Sequence, residues 1–293
     1  MKRKFSAQPR WTPYLFLAPF LAVFGVFMIY PLLQSVVLST EQTFGPEFTE
    51  FVGLGNFRNL LNDPVFFVAL RNTFIFASAA VLLQMPLSLG LAMLLNQPWI
   101  RGRAVFRLIF FSPALVGAVF VGVMFSIIFE RRTGLLNIVL HRLVGFDLDF
   151  PWLQEYAMAS MILASLWMWT GFNMIYFLAA LQNVDKDLLD AAKVDGAGPW
   201  SRFMNVTIPA IRPIAGFVVM ISLIGAFQVF ELPFLLFDGP GPNNRGLTIV
   251  MYLYQSGFQI GDLGYASAIG WILAVILIVC SVLQRRLSRN EAF

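Results

Sequence analysis

Long apolar stretches separated by short polar segments dominate this chain. Six of them reach the length that a helix needs to cross a hydrocarbon core of about 30 Å, which takes about 20 residues at 1.5 Å each. They hold few charges, and none shows the ten-residue apolar–polar alternation typical of membrane barrels. The pattern predicts an all-α integral membrane protein with six transmembrane helices. The predicted spans are about 11–40, 72–100, 106–129, 156–182, 209–234 and 263–286.

Polar segments divide the chain around these spans. Residues 1–10 and 287–293 are predicted as tails that flank a transmembrane domain at 11–286, and the loop at 183–208 joins the fourth and fifth spans. Prolines also fall inside the spans, where neighbouring groups can satisfy the carbonyls that proline leaves free. We therefore expect kinks rather than breaks at Pro19, Pro86 and Pro113.

The distribution of lysine and arginine predicts the orientation of the chain, because cytoplasmic loops are enriched in both. Fourteen of the 20 basic residues fall on one predicted side. They are Lys2, Arg3, Lys4, Arg10, Arg101, Arg103, Arg107, Lys186, Lys193, Arg202, Arg212, Arg285, Arg286 and Arg289. Both termini are therefore predicted to be cytoplasmic, an N-in/C-in arrangement.

Composition excludes several other classes of protein. Hydrophobic residues make up 58% of the 293 positions and charged residues only 12%, about half of the usual share in soluble domains. A single cysteine, Cys280, and a single histidine, His141, allow neither a disulfide framework nor a Cys/His metal site. The basic residues lie in four separate cytoplasmic segments rather than in one patch, so no nucleic-acid partner is expected.

The loop at 183–208 has the pattern of a short helix with both ends specified. Asp185 can cap its amino end, Asp187 suits the positive end of the helix dipole, and Gly196 is a permissive stop. Pro199 then marks a second helical start. The first helix presents small alanines on one face, which allows another surface to approach closely. It either packs back on its own transmembrane helices or docks a cytoplasmic partner.

Three groups in this loop resemble the EAA loop of ATP-binding-cassette (ABC) importer permeases. They are Asp190-Ala191-Ala192, Asp195-Gly196-Ala197 and Val206-Thr207-Ile208-Pro209. Asp190 stands where the family usually has glutamate, so the charge is kept on a shorter side chain. Other stretches extend the resemblance along the chain, and together they look most like the carbohydrate-importer branch. They are Tyr30-Pro31, Phe51 to Phe57, Arg101-Gly102-Arg103, Ala179 to Gln182 and Asp262 to Ala266.

The resemblance implies a type I importer permease in the prokaryotic inner membrane, with multiple membrane passes and without an ATP-hydrolysing site of its own. No Gly-Lys dipeptide occurs, so the phosphate-binding loop of ATPases is absent. The family's partners would be a second homologous permease, a cytoplasmic ATPase dimer that holds ATP and magnesium, and an extracytoplasmic solute-binding protein. This chain would bind no cofactor or metal, and the loop would couple ATP closure to alternating access.

In that family, the helices before and after the loop contact the substrate. Amide groups there can bind sugar hydroxyls, and aromatic faces suit the C–H faces of sugar rings. The candidate substrate-path residues are Trp169, Phe172, Asn173, Tyr176, Phe227, Gln228 and Glu231. Aromatic residues in spans also serve packing, and Glu231 could instead lie at the external membrane boundary. Gln228 is the strongest candidate, since polar groups at membrane depth tend to face protein or a cavity.

Three other classes of function remain open at this point. An ion-coupled secondary transporter would need intramembrane carboxylates, which are almost absent from the spans. A membrane enzyme would need a catalytic constellation, which one histidine and scattered acids do not supply. A structural subunit of another membrane complex is disfavoured only by the EAA-like loop. The carried solute, whether monosaccharide, oligosaccharide, polyol or glycerol phosphate, is not predicted.

Overall fold

The structure, a computed structural model, describes residues 11–44 and 48–290, most of which are helical. The predicted tail at 1–10 and residues 291–293 lie outside the described residues. The α-helices are α1 (Thr12–Phe24), α2 (Tyr30–Leu38), α3 (Gly55–Leu60), α4 (Pro64–Asn96), α5 (Arg103–Phe111), α6 (Ala118–Ile128), α7 (Leu135–Val144), α8 (Ala157–Gln182), α9 (Lys186–Val194), α10 (Pro199–Arg202), α11 (Ile208–Phe227), α12 (Glu231–Phe237), α13 (Ile249–Tyr254) and α14 (Leu263–Asn290). Two strands, β1 (Glu41–Phe44) and β2 (Phe48–Phe51), pair antiparallel.

Several helices are long and apolar enough to cross a membrane. In the described part of the chain there are five single helices of this kind, and a sixth span if one bent pair counts as a single crossing. Single turns of π-helix join α1 to α2 and α10 to α11 into continuous helices. The continuous helices are Thr12–Leu38, Pro64–Asn96, Ala157–Gln182, Pro199–Phe227 and Leu263–Arg286. The N-in/C-in orientation stays a prediction.

The second span begins earlier than its predicted start at residue 72. Asp63 caps α4 by accepting a hydrogen bond from the Val65 amide at 2.8 Å, and Pro64 occupies the first helical turn, where its missing N–H costs nothing. The predicted span excludes the charged Arg71, but this residue lies inside the helix. A charged side chain near a helix end can reach the membrane surface while its backbone remains helical.

The expectation of kinks rather than breaks is wrong for one proline. The helices continue through Pro19 and Pro86, but Pro113 lies in a 3-10 turn after which α5 and α6 diverge by 97°. Proline removes an amide donor, and Val116 and Gly117 then adopt extended backbone angles. The predicted span 106–129 is therefore a broken pair that begins at Arg103.

The fifth span also differs from its predicted limits of 209 and 234. The helix begins at Pro199, which confirms the predicted second start and shortens the loop at 183–208. It ends at Phe227, and Phe230 has non-helical angles before α12 begins at Glu231. Apolar character continues across this break, so hydrophobicity alone could not reveal it.

By its internal contacts, the chain divides into two compact units. One unit comprises residues up to Asn62 together with Leu253–Trp271. In it, the buried Asn56 donates to the carbonyl oxygens of Ser39 and Glu41 at 3.1 and 2.8 Å, and the Gly264 amide donates to the Thr43 hydroxyl at 3.2 Å. None of the residues in Thr12–Leu38 is buried.

The other unit comprises Asp63–Tyr252 and the chain from Ile272 onward. Its core lies where α8 packs against α4 and α11, around buried residues such as Leu95, Phe177 and Ile211. The Ser88 hydroxyl of α4 donates to the Thr170 carbonyl of α8 at 2.9 Å. Both candidate functional regions lie in this unit.

Candidate functional site

The helix α9 in the loop at 183–208 has the ends that its sequence specifies. The Asp185 carboxylate accepts from the Asp187 amide at 2.9 Å and caps the first turn. At the other end, the Gly196 amide donates to the Lys193 carbonyl at 3.1 Å and the Ala197 amide to the Ala192 carbonyl at 2.9 Å. This pair of bonds is a Schellman motif, which needs a left-handed residue, and Gly196 has φ +78°.

Most of α9 is exposed, although its sequence is partly apolar. No residue in it is buried, and Leu188 and Val194 are 57% and 88% exposed. Leu189 alone packs at the edge of the core cluster. Trp200, which follows in α10, is 69% exposed. The helix therefore presents an apolar face, with Ala191 between Leu188 and Val194, that the described part of the chain leaves uncovered.

Asp190 carries a fixed negative charge on this face. Its carboxylate accepts a hydrogen bond from the Lys193 ammonium at 2.5 Å, one turn further along the exposed helix. That hydrogen bond and the positive charge of Lys193 hold the pKa of Asp190 below its usual value. An exposed pair of this kind contributes little to stability and can exchange partners readily.

A cavity of about 350 Å³ lies among α4, α6, α8, α11 and α12. Five of the seven residues predicted for the substrate path line it. They are Trp169, Phe172, Asn173, Gln228 and Glu231. Glu231 carries the only charge among the residues that line the cavity, so the cavity offers amides, hydroxyls and aromatic faces rather than cations.

The wall formed by α8 and α11 holds a buried polar pair. Asn173 is buried, and its Nδ2 donates to the Ser222 hydroxyl oxygen at 3.1 Å. Because the amide carbonyl and the hydroxyl each retain hydrogen-bonding capacity, the pair can also bind a solute.

At Gly171, a Cβ atom would lie 1.7 Å from the Phe110 carbonyl oxygen. Only glycine therefore allows α5 to approach α8 this closely.

Aromatic side chains follow one face of α8 beside this pair. Phe172 meets Trp169 edge to face at 5.7 Å between ring centroids and meets Tyr176 at 5.3 Å. Phe111 of α5 stacks on Phe172 at 6.4 Å. Trp169 and Phe172 therefore pack against neighbouring rings and also line the cavity.

The break after α11 places Gln228 at the cavity. Gln228 caps the helix end through its backbone amide, and its side chain is exposed. The carbonyl of Val229, freed by the break, accepts a hydrogen bond from the Thr248 hydroxyl at 2.9 Å. A non-helical backbone group at membrane depth needs a hydrogen-bond partner such as this one. Glu231, the first residue of α12, lines the same cavity as Gln228.

Two predicted path residues lie elsewhere. Phe227 is buried and packs edge to face on Phe74 of α4 at 5.0 Å, because it projects from the side of α11 that faces the core. Tyr176 continues the aromatic row but contacts Phe217 at 5.7 Å and does not line the cavity. Spacing along the helix could not separate Phe227 from Gln228 without knowledge of where α11 ends.

The structure adds polar lining residues that sequence reasoning missed, namely Gln84, Ser165 and Ser222. Gln84 is 3% exposed, and its Nε2 has no hydrogen-bond partner within the described part of the chain. A buried, unpaired amide donor is costly and indicates a ligand or a solvent molecule at that position. A polar residue inside an apolar run of α4 was the available signal.

Residues 84–291 match the family described as the binding-protein-dependent transport system inner membrane component. Curated relatives include the arabinooligosaccharides transport system permease protein AraP of Bacillus subtilis, 39% identical over 94% of this chain and 88% of that protein. The lactose transport system permease protein LacF of Rhizobium radiobacter is 37% identical over 95% of this chain and 94% of that protein.

Solved structures show the same fold. A bacterial ABC transporter involved in the import of the acidic polysaccharide alginate contains a chain that matches with TM-score 0.83 and 25% identity, over 97% of this chain and 96% of that one. A bacterial alginate ABC transporter in complex with alginate pentasaccharide-bound periplasmic protein matches with TM-score 0.85 and 26% identity, over 96% and 95%.

The broken helices around a polar cavity and the exposed loop helix thus belong to the permease class of ABC importers. This chain is a member of the binding-protein-dependent transport system inner membrane component family. It is a multi-pass inner-membrane translocation subunit rather than an enzyme, and the type I importer fold is confirmed. Family membership also excludes the ion-coupled transporter among the functions left open by the sequence.

Proposed function

We propose that this permease carries an uncharged carbohydrate through the cavity among α4, α8 and α11. The observation that carries the proposal is the chemistry of the lining, in which amides and hydroxyls alternate with aromatic faces and the only charge is the carboxylate of Glu231. Sugar hydroxyls pair with such amides, and their C–H faces pack on aromatic rings. The relatives named for arabinooligosaccharides and lactose support a neutral solute.

The charge of the lining weighs against an anionic solute. Another relative, the sn-glycerol-3-phosphate transport system permease protein UgpA of Yersinia pestis, is 33% identical over 94% of this chain and 93% of that protein. Phosphate recognition in proteins favours arginine or lysine, and neither residue type lines this cavity. A carboxylate at Glu231 would repel a phosphate or a uronic acid.

The partners in this proposal are a second permease, an ATPase dimer and a solute-binding protein. The uncovered apolar face of α9, with Asp190 beside it, supports docking of the cytoplasmic ATPase, which would hold ATP and magnesium. The coupling residues would be Asp190, Ala191, Ala192, Asp195, Gly196 and Ala197. ATP-driven closure of the ATPases would move α9 and open the cavity outward, and hydrolysis would return it to the inward-facing state.

Gln84 supplies a test whose two readouts move in opposite directions. Replacement by methionine, Gln84→Met, removes an unpaired buried donor, so we expect the empty protein to gain about 1 kcal/mol of stability. The same change removes a hydrogen bond to the sugar, so carbohydrate-stimulated ATP hydrolysis by the reconstituted complex should fall about fivefold at low solute. Gln97→Met, at the exposed end of the same helix, should change neither readout.

Substrate charge is tested separately by solute competition. Neutral oligosaccharides should stimulate ATP hydrolysis in the wild type, and analogues that carry a uronic acid should not. The change Glu231→Gln should weaken this discrimination. Preference of the wild type for the acidic analogue would refute the neutral-solute proposal, and a less stable Gln84→Met protein with unchanged turnover would refute the assignment of the cavity.

A further inference from the structure

A second cavity, which we call the arginine groove, lies between the first half of α11 and the last turns of α14. Its volume is about 780 Å³, and ten residues of these two stretches line it. The Gln284 side-chain amide donates to the Gly216 carbonyl at 2.6 Å and fixes α14 against α11 across the groove. The groove is therefore a built feature of the packing between the two helices.

The two charged residues that line the groove are both arginines. Arg212 of α11 is half-buried and Arg285 of α14 is exposed, and both line the groove. None of the ten lining residues is acidic. Two guanidinium groups at one end of a cavity create a site that favours a phosphate, which arginine binds with several donors.

Most of the remaining lining is apolar, and three of its large side chains are exposed in the described part of the chain. Phe217 and Met220 of α11 are 48% and 38% exposed, and Val282 of α14 is 45% exposed. Each of them lies further into its membrane span than the arginine on the same helix. The groove thus passes from a charged end to an apolar wall along the direction of the spans.

The length of α14 places Arg285 at the level expected for lipid headgroups. Arg285 comes 22 positions after Leu263, the first residue of α14. At 1.5 Å per residue this is about 33 Å, slightly more than the hydrocarbon core of about 30 Å. The same end of the chain's spans collects most of its lysines and arginines, so it is predicted to face the cytoplasmic leaflet, where anionic lipids are found.

We propose that the arginine groove binds one anionic phospholipid of the cytoplasmic leaflet. Arg212 and Arg285 hold the phosphate, and the acyl chain lies along Phe217, Met220 and Val282. Basic pockets between transmembrane helices on the cytoplasmic side recognise such headgroups. A peptide segment fits less well, because the apolar wall offers few partners for the backbone groups of an extended chain at membrane depth. The site is independent of the transported solute.

Lipid retention measured by native mass spectrometry tests this site. The full-length chain, extracted together with its partner subunits, is reconstituted in an equimolar mixture of phosphatidylglycerol and phosphatidylcholine and then released for analysis. We expect preferential retention of phosphatidylglycerol. Each arginine near an anionic headgroup contributes about fivefold to binding, so Arg212→Gln with Arg285→Gln should lower retention about 25-fold.

Arg286→Gln is the matched control, because Arg286 is exposed next to Arg285 but does not line the groove. It should leave retention unchanged. Equal loss in this control, or equal retention of both lipids by the wild type, would overturn the proposal. So would displacement of the bound lipid by inorganic phosphate, since the site would then recognise a free anion.

A photo-crosslinking residue at Met220 distinguishes a lipid from a protein occupant. With p-benzoylphenylalanine at this position in native membranes, the expected adduct has the mass of one phospholipid. A crosslink to a protein subunit would overturn the proposal. This readout does not depend on whether the arginine variants fold or transport.

Discussion

Two short helices of this chain, α7 and α9, are alike in length and in how they end. Both expose apolar side chains, such as Val144 at 73% and Val194 at 88%. Both are followed by a glycine in the left-handed region, Gly145 with φ +70° and Gly196 with φ +78°. They differ in the contacts that anchor them to the rest of the chain. Of the two, α9 lies in the proposed coupling loop.

A buried side chain, Asn137, anchors α7. Its Nδ2 donates to the carbonyl oxygens of Arg131, Leu148 and Phe150, and its Oδ1 accepts from the Trp152 indole at 2.7 Å. For α9, the described contacts are its own caps, the Asp190–Lys193 pair and the edge packing of Leu189. A helix with specified ends and few contacts within its chain is suited to docking on another subunit.

The largest expected effect comes from removing the anchor of α7. Asn137→Ala would leave three backbone carbonyls and the Trp152 indole without their partner, at a cost of about 3 kcal/mol in the free energy of unfolding. Asn183→Ala, near α9, removes one exposed bond to the Ala179 carbonyl and should cost less than about 0.5 kcal/mol. Thermal unfolding of the two purified variants measures the difference. Equal losses of stability in the two variants would mean that Asn137 anchors α7 no more strongly than Asn183 anchors the chain beside α9.

The two glycines give a matched test of coupling. Alanine in the left-handed region costs about 1–2 kcal/mol, and at both positions a Cβ would meet open space, so Gly196→Ala and Gly145→Ala should strain their helix ends equally. Only Gly196→Ala should lower solute-stimulated ATP hydrolysis, by about 5- to 30-fold if the strain opposes docking. An equal loss in Gly145→Ala would show that the strain acts through general stability.

The sequence predicted α9 closely because its signals are local. Asp185, Gly196 and Pro199 act within a few residues of their own position, and the structure has a cap, a left-handed turn and a helix start at these residues. The break at Pro113 was missed, since a proline inside an apolar run is compatible with either a kink or a break. Packing of neighbouring helices decides between the two outcomes.

The cavity was predicted less completely because its lining comes from distant parts of the chain. Asn173 and Gln228 were identified as polar residues in apolar runs, and both line it. Gln84 carried the same signal but lies in α4, away from the helices that flank the loop. The position of Phe227 depends on where α11 ends, which the continuous apolar pattern hides. Only the three-dimensional packing separates these cases.

A smaller effect is expected from the charges on α9. Asp190→Asn should lower solute-stimulated turnover about fivefold, because a charge that pairs across a subunit interface is costly to lose. Asp187→Asn, on the same exposed helix, should leave it nearly unchanged. The lowered pKa of Asp190 keeps its carboxylate charged at neutral and mildly acidic pH. Because Asp190→Glu keeps the negative charge, it should match the wild type over that range. Turnover in Asp190→Asn equal to the wild type would contradict the docking role.

The smallest effect concerns the turn before α7. Glu130 accepts hydrogen bonds from the backbone amides of Thr133 and Arg132 and from the Thr133 hydroxyl, and these bonds hold the pKa of its carboxyl below the usual value. A carboxyl with a lowered pKa stabilises the fold above its unfolded pKa, and this contribution disappears as the pH falls through the folded value. Hydrogen exchange of the peptide around Thr133 should therefore be faster in Glu130→Gln than in the wild type at neutral pH, and the two rates should converge in strong acid. A constant difference across that range would show that charge does not hold this turn, and the contrast with α9 would then rest on Asn137 alone.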